Sequence, residues 1–295
     1  MEALLSALIN GLALGMAYAL ISVGYSIVFG ILRLINFSHS SVYAFGAYMV
    51  YFFVSLQVGL LWSIIIAIAL AGLLGCAIDK TALEPLRKKN SLRIATLITT
   101  IGISNIITEV LSLEGVFGTT KRGFPSLNLF DNIVIGNITI QSSQVIMFAA
   151  ALVLLCILTL VVNKTKVGLA MRATEQNIRA AQIMGVDVNK VIMFSFFMSG
   201  ASAAIAGTLI GGYYQMISPS MGATIGMKSF SAAVVGGIGV LYGAVVGGLV
   251  VGVAECVAAQ FLGSNVRDPM AFVLLLLILI FKPNGLFGKQ TISKV

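Results

Sequence analysis

The sequence has little charge for its length. Charged residues make up 9% of its 295 residues, whereas hydrophobic residues make up 59%; soluble domains carry about 25% charged residues. This deficit excludes an ordinary soluble domain and indicates that lipid is the solvent. Since each spanning helix needs about 20 apolar residues, the chain has room for eight or nine crossings and for no separate extramembranous domain.

The sequence also lacks the motifs that catalysis would need. It has one His, no Ser/His/Asp set that can be nominated, no His-Glu-x-x-His metal site and no Gly-x4-Gly-Lys-Ser/Thr phosphate loop. We therefore expect no enzyme, no cofactor and no metal site, and we expect that the chain cannot hydrolyse ATP by itself. The three cysteines, Cys76, Cys156 and Cys256, are odd in number and lack metal-like spacing. They are interpreted as packing residues without a disulfide.

The distribution of the basic residues indicates which loops face the cytoplasm. The net charge is +8, but Lys and Arg lie in short loops between apolar runs, which argues against a nucleic-acid surface. Basic residues concentrate in the loop after the third apolar segment, in 164–190 and in the C-terminal tail (Lys282, Lys289 and Lys294). We expect these three regions to be cytoplasmic and the loop 114–141 to be external. Within that loop, Gly136-Asn137 between two β-branched runs predicts a small hairpin.

Nine apolar segments define the expected fold, an all-α polytopic membrane bundle forming one domain over 1–295. They fall near 4–32, 41–57, 60–78, 94–113, 142–162, 190–213, 227–240, 241–262 and 268–281. The segment 227–240 is short and glycine-rich, which is typical of a half-helix or re-entrant piece. The number of crossings is therefore eight or nine.

Small residues recur at four-residue spacing and allow helix backbones to approach closely in lipid. The pairs and triplets are Gly11/Gly15, Gly207/Gly211, Gly239/Gly243/Gly247 and Gly248/Gly252. Two interpretations are open: tight packing within the bundle, or a seam with a second subunit.

Ionisable and polar residues in or near apolar segments are candidates for a translocation path, since each is costly in hydrocarbon. The candidates are Asn36, His39, Glu109, Lys228 and Glu255. Arg33 and Glu109 also fit residues that snorkel from helix ends, and His39 also fits a hydrogen-bonded structural residue. Glu255 has no predicted helix end nearby, so it needs a partner or a water-filled face.

The stretch Gly168–Lys190 predicts a short amphipathic helix over about 170–185. Polar residues share one face (Arg172, Glu175, Gln176, Arg179 and Gln182), small apolar residues share the other (Ala170, Ala173, Ala181 and Met184), and Gly185 is placed to end the helix. Such a helix could lie on the membrane surface. Its small apolar face favours docking against another protein instead.

These residues resemble the cytoplasmic loop of ABC-importer permeases. The loop pattern Ala-Ala-x-x-x-Gly is met by Ala180, Ala181 and Gly185, and the pattern Gly-x-Ala-x-Arg-Ala of the branched-chain amino acid (LivH-type) branch is met over 168–173. Arg179 stands where many such permeases have Glu, which points away from the maltose-type branch. Further similar stretches are 10–20, 35–48, 232–248 and 282–288. Ser40-Ser41 departs from the family's usual Gly followed by an acidic residue.

The resemblance implies a multi-pass permease of the bacterial inner membrane, with a coupling helix that contacts an ATPase through Arg172, Glu175, Arg179, Ala180, Ala181 and Gly185. It implies four partners besides lipid: a homologous LivM-type permease, two cytoplasmic ATP-binding subunits and an extracytoplasmic solute-binding protein. The implied solutes are branched-chain amino acids. A urea or short-amide permease, a sugar permease and an ion-coupled secondary transporter remain open as alternatives.

Overall fold

The computed structural model describes residues 2–89, 91–127, 130–135 and 138–288, which are mainly helical. The helices in chain order are α1 (Glu2–Leu32), α2 (Ser38–Ser55), α3 (Leu60–Ile78), α4 (Glu84–Lys88), α5 (Arg93–Ser112), α6 (Ser142–Lys164), α7 (Lys166–Gln176), α8 (Ile178–Ile183), α9 (Val188–Tyr214), α10 (Met221–Gly236), α11 (Leu241–Leu262) and α12 (Arg267–Phe281). A π-helical turn over Asp79–Leu83 joins α3 to α4, and a 3-10 turn over Ser264–Val266 precedes α12. The predicted all-α membrane bundle is confirmed.

Two small antiparallel strand pairs lie beside the helices. Strand β1 (Arg122–Gly123) pairs with β4 (Met216–Ile217), and β2 (Ile133–Ile135) pairs with β3 (Ile138–Ile140). The pair β2–β3 is the hairpin predicted from sequence, although its turn residues Gly136 and Asn137 lie outside the described residues. Because β1 and β4 pair, the loop 114–141 and the end of α9 lie on the same side of the bundle.

Within the described residues, seven segments are long and apolar enough to cross a membrane by length and composition alone, so the expected eight or nine crossings stay a prediction. The seven segments are Glu2–Leu32, Leu60–Lys88, Arg93–Ser112, Ser142–Lys164, Val188–Tyr214, Leu241–Leu262 and Ser264–Phe281. Helices α2 and α10 are the expected crossings that fall outside these seven segments. Helix α2 begins with a polar turn, Ser-His-Ser-Ser, and α10 has 16 residues, about 24 Å at 1.5 Å per residue, which is less than the hydrocarbon core of about 30 Å.

Helix α1 is the centre of the bundle and packs closely against α11. A Cβ placed on Gly11 would lie 2.6 Å from Val253 Cα, and one on Gly15 would lie 2.9 Å from Leu249 Cα. The two backbones are therefore in direct contact, as small residues permit. Gly243 in α11 similarly faces the carbonyl oxygen of Gly236 in α10, at 2.5 Å from an added Cβ. These glycine faces pack against other helices of the same chain, which supports the interpretation of tight packing within the bundle.

The two ends of α1 identify the two sides of the bundle. Near its start, Asn10 accepts a hydrogen bond from the side chain of Gln144 in the first turn of α6, next to the loop 114–141. Near its end, Gly30 lies beside the carboxylate of Glu175 in α7, 3.5 Å from an added Cβ. The first turns of α1 are thus on the side of the loop 114–141, and its last turns are on the side of α7. The tail residues Lys289 and Lys294 lie outside the described residues.

Candidate functional site

Glu255 of α11 is the centre of a buried ion cluster. Its exposed fraction is 0%, and Oε1 accepts hydrogen bonds from Lys228 Nζ at 2.8 Å and from Arg267 Nε at 2.8 Å. The hydroxyl of Tyr18 in α1 donates to Oε2 at 3.1 Å. Two cations and a phenol therefore replace water around this carboxylate. The expectation that Glu255 faces protein rather than lipid is confirmed.

The cluster extends from Glu255 to a more exposed rim at the start of α12. Lys228 Nζ also lies 2.6 Å from Asp268 Oδ1, and the Asp268 side chain is 62% exposed. Arg267 Nη2 donates to the hydroxyl oxygen of Tyr214 in α9 at 2.9 Å. The ion cluster, as we call Lys228, Glu255, Arg267 and Asp268, thus has two positive and two negative charges and connects α10, α11 and α12.

The ion cluster is a network of hydrogen bonds and ion pairs that lies inside the chain and stabilises its structure. A buried ion pair recovers its desolvation cost only when its remaining donors and acceptors are satisfied, and removing one partner then costs about 3–5 kcal/mol. Here Oε1 has two cationic donors and Oε2 has the Tyr18 hydroxyl. The side chains therefore hold three helices in register. Among the described residues, no group of three or more His, Cys, Asp or Glu could hold a metal ion.

The structure places Asn36 and His39 at the start of α2 and not in the ion cluster. Asn36 Oδ1 accepts from the backbone N–H of Ser38 at 3.1 Å and from its hydroxyl at 2.5 Å, so this side chain is bonded within the chain at the start of α2. His39 is 2% exposed, and its Nε2 and Nδ1 lie 3.2 Å from Ile21 O and 3.0 Å from Ser199 Oγ. Both ring nitrogens are bonded within the chain, so the structural interpretation of His39 is the better supported one.

A glycine in α1 makes room for His39. A Cβ on Gly24 would lie 2.6 Å from Cε1 and Nε2 of the imidazole, closer than side-chain atoms pack. Only glycine therefore fits opposite this ring. The sequence alone did not identify this pairing, because the two residues belong to different apolar segments and the intervening reversal is irregular.

The remaining candidates, Glu109 and Arg33, lie away from the ion cluster. Glu109 is exposed on α5, one turn after the exposed Asn105. Arg33 is exposed directly after α1, has a left-handed φ of 53° and donates its N–H to Phe29 O at 2.8 Å. Arg33 therefore lies at the end of α1, which agrees with its interpretation as a residue that extends from a helix end.

Four residues of the site were missed by the sequence reasoning: Tyr18, Tyr214, Arg267 and Asp268. A usable signal was present for two of them. Arg267-Asp268 places opposite charges at the start of the last apolar segment, and a buried Glu needs a cation nearby. The two tyrosines carried no such signal, since no neighbouring residue in the sequence shows which polar group their hydroxyls meet.

The cytoplasmic-loop candidate consists of two helices rather than one. Thr165 caps α7 by accepting from Gly168 N at 3.1 Å, and Asn177 caps α8 by accepting from Ala180 N at 3.1 Å. Asn177 has φ −158° and ψ 107°, which is extended backbone. The prediction of one continuous helix over 170–185 is therefore wrong. The physical reason is that an Asn side chain offers a capping bond that competes with helix continuation.

Within this pair, three predicted docking residues are engaged by the chain itself. Ala181 is 4% exposed and belongs to the core. Arg172 Nη1 donates to Asn163 O at 3.0 Å, and the Glu175 carboxylate faces Gly30. Of the predicted apolar docking face, Ala181 is thus not free to dock, because its side of α8 packs onto the chain's own core, whereas Met184 is exposed.

Two large apolar side chains at the end of α8 are almost fully exposed. Ile183 is 85% exposed and Met184 is 82% exposed, and Arg179 and Ala180 are exposed beside them. Gly185 ends the helix, as predicted: its φ is +85°. The Val186 N–H bonds to Ala181 O at 3.0 Å, the pattern of a Schellman C-cap. We call Ile183 and Met184 with this C-cap the α8 tip.

The chain is similar to known permeases over nearly its whole length. A family model described as the branched-chain amino acid transport system / permease component matches residues 7–281. The permease BraD of Pseudomonas aeruginosa, described as part of a high-affinity branched-chain amino acid transport system, is 35% identical over 99% of this chain and 98% of its own length. LivH of Escherichia coli (strain K12), described in the same words, is 33% identical over 99% and 97%. A fructose import permease, FrcC of Rhizobium meliloti, is 31% identical over 50% of this chain and 41% of its own length.

Proposed function

The chain belongs to the branched-chain amino acid transport system permease family, and from this membership we propose that it is the membrane subunit of an ABC importer for branched-chain, aliphatic amino acids. The observation that carries the proposal is the likeness to BraD and LivH over 99% of the chain. The match to the fructose permease reaches 50% of the chain, so a sugar permease is the weaker alternative. The membrane is the bacterial inner membrane, which the seven long apolar segments support.

The partners follow from what the chain supplies and what it needs. Its sequence has no phosphate loop for ATP, so ATP hydrolysis belongs to two cytoplasmic ATP-binding subunits. A homologous LivM-type permease completes the membrane part, and an extracytoplasmic solute-binding protein delivers the amino acid. Alternating access is the mechanism: closure of the ATPases moves the α7–α8 pair, and helix shifts redirect a central path.

The α8 tip is the surface through which the ATPase acts. Mechanical work must enter through contact, and Ile183 and Met184 are large apolar side chains that water surrounds in the isolated chain. Burying two such side chains in a groove favours association by roughly 1.5–3 kcal/mol each. Two observations support this assignment: both side chains are apolar, and both are exposed. At the tip of a loop they do not pack into the core of this chain, so a partner protein is the surface that can bury them.

The orientation of the chain in the membrane is inferred from the asymmetric distribution of basic residues and from the contacts of α1. Basic residues around 79–93 and 164–190 favour a cytoplasmic position for α7 and α8. In this orientation the first turns of α1, beside the loop 114–141, are external, and the basic C-terminal tail is assigned to the cytoplasm on the same rule. In a variant without native cysteines, a membrane-impermeant maleimide should label Lys121→Cys from outside and Met184→Cys only from the cytoplasmic side. Labelling of both positions from one side would contradict this orientation.

Reconstituted uptake tests the function. Liposomes that contain this chain with its partner permease and ATPases, and are supplied with the binding protein, should take up leucine when ATP is hydrolysed. Unlabelled isoleucine and valine should compete, whereas urea and fructose should not. Uptake by this chain alone on an ion gradient would establish a secondary transporter instead, and competition by urea but not by isoleucine would establish a short-amide permease.

A further inference from the structure

A concave surface lies where α3, α7 and α9 meet. This groove has a volume of about 710 Å³, within the range of about 300–1,000 Å³ typical of small-molecule sites. Its walls are apolar, with Val167 and Ala170 from α7 and Phe194 and Phe197 from α9. Since α9 and the segment that contains α3 are candidate spans, two sides of the groove belong to helices that cross the membrane, and α7 forms its third side at the cytoplasmic end.

The cytoplasmic rim of the groove is charged. Lys166, Asp187 and Lys190 line it, and Lys190 Nζ lies 3.1 Å from Asp187 Oδ2. The backbone N–H of Lys190 donates to Asp187, and this bond lowers the pKa of the Asp187 carboxyl below its ordinary value, so Asp187 is ionised at neutral pH. Two lysines and one carboxylate leave one net positive charge at the rim.

We propose that this groove binds one anionic phospholipid, with an acyl chain between α3, α7 and α9 and the headgroup phosphate at Lys166 and Lys190. The charges are complementary, because a phosphatidylglycerol headgroup carries one negative charge and the rim carries one positive charge. A zwitterionic lipid lacks this match. The position also has a consequence: the lipid contacts the base of α7, the helix that leads directly to α8, so its occupancy supports the seating of that pair.

Native mass spectrometry of the full chain in mild detergent tests the site. Phosphatidylglycerol and phosphatidylcholine with identical acyl chains are added together in equal amounts. We expect the wild-type chain to retain phosphatidylglycerol about fivefold more strongly, the effect of roughly one basic residue at an anionic headgroup. In the Lys166→Gln/Lys190→Gln variant this ratio should fall to about one. Both side chains are exposed, so the variant should fold.

Lys164→Gln is the matched control, since Lys164 is exposed two residues away and does not line the groove. It should keep the wild-type preference. Equal retention of the two lipids by the wild-type chain, or an unchanged preference in the double variant, would overturn the proposal.

Cys76, which also lines the groove, distinguishes lipid from protein as the occupant. In a Cys156→Ser/Cys256→Ser background, reaction of Cys76 with N-ethylmaleimide should be slower in phosphatidylglycerol vesicles than in phosphatidylcholine vesicles. If Cys76 instead cross-linked to a co-reconstituted permease subunit, a protein and not a lipid would cover the groove.

Discussion

The ion cluster and the α8 tip differ in whether an energetically unfavourable side chain has partners within the chain. The ion cluster contains a buried charge, and the α8 tip contains exposed apolar side chains. At the ion cluster, Glu255 is 0% exposed and its oxygens have donors from three other helices. At the α8 tip, Ile183 is 85% exposed and has no comparable shelter within the described residues. A side chain that has its hydrogen-bond or packing partners within the chain stabilises the fold. A large apolar side chain that stays exposed to water indicates contact with another protein. Changes at the first should therefore affect stability, and changes at the second should affect assembly and uptake.

The largest effect is expected for Glu255→Leu. The substitution leaves Lys228 and Arg267 without their shared carboxylate, and breaking a buried ion pair costs about 3–5 kcal/mol. We expect a marked fall in the thermal stability of the purified chain in detergent and in its folded yield. Glu109→Leu, at an exposed carboxylate on α5, is the control and should leave stability nearly unchanged. Normal assembly and normal uptake of Glu255→Leu would show that the ion cluster serves neither fold nor transport.

The next effect is expected for Ile183→Asp/Met184→Asp. Charging both exposed side chains should leave the isolated chain folded but weaken ATPase binding by at least about 2 kcal/mol, the size of an interface hot spot. The measurement is co-purification of the ATP-binding subunits from mild detergent at equal amounts of folded permease. Gln182→Asp, at the exposed residue between Ala181 and Ile183, controls for the added charge. Full ATPase recovery with the double variant would move the docking surface away from α8.

A smaller, local effect is expected at Gly185. Its φ is +85°, and an added Cβ would have no atom within 4 Å, so the penalty of Gly185→Val is backbone strain of about 1–2 kcal/mol and not a clash. We expect the variant to reach the membrane but to lose much of its ATP-driven uptake, because the chain after α8 is misdirected. Gly185→Asn, which tolerates the left-handed region, should retain uptake. Equal uptake by the Val and Asn variants would contradict this reason.

The smallest effect is expected for Arg179→Ala. Arg179 is exposed beside the α8 tip, where a charge at the rim of an interface contributes less than about 1 kcal/mol. Uptake should decrease modestly and ATPase co-purification should persist. A loss as large as that of Ile183→Asp/Met184→Asp would show that charge and not apolar contact dominates the docking surface.

The features that could be predicted from the sequence are those that depend on residues close together in the chain. The β2–β3 hairpin followed from a two-residue turn signal, and the end of α8 followed from Gly185, since each depends on a few consecutive residues. The fold class followed from the apolar segments. The partners of Glu255 could not be predicted, because Tyr18 and Lys228 meet it only through helix packing. The break at Asn177 was missed because amphipathic spacing continues across it, and the burial of Ala181 was missed because α8 turns one face toward the chain's own core.

The measurement that tests the account most directly is cross-linking from the α8 tip. In a reconstituted transporter built on a permease without native cysteines, Met184→Cys is treated with a short bifunctional maleimide while single cysteines are placed around the candidate groove of the ATP-binding subunit. We expect an efficient cross-link to that subunit, and we expect its yield to change when ATP is bound. A Met184→Cys that stays freely labelled by an impermeant maleimide in a complex that transports leucine, and forms no cross-link, would contradict it.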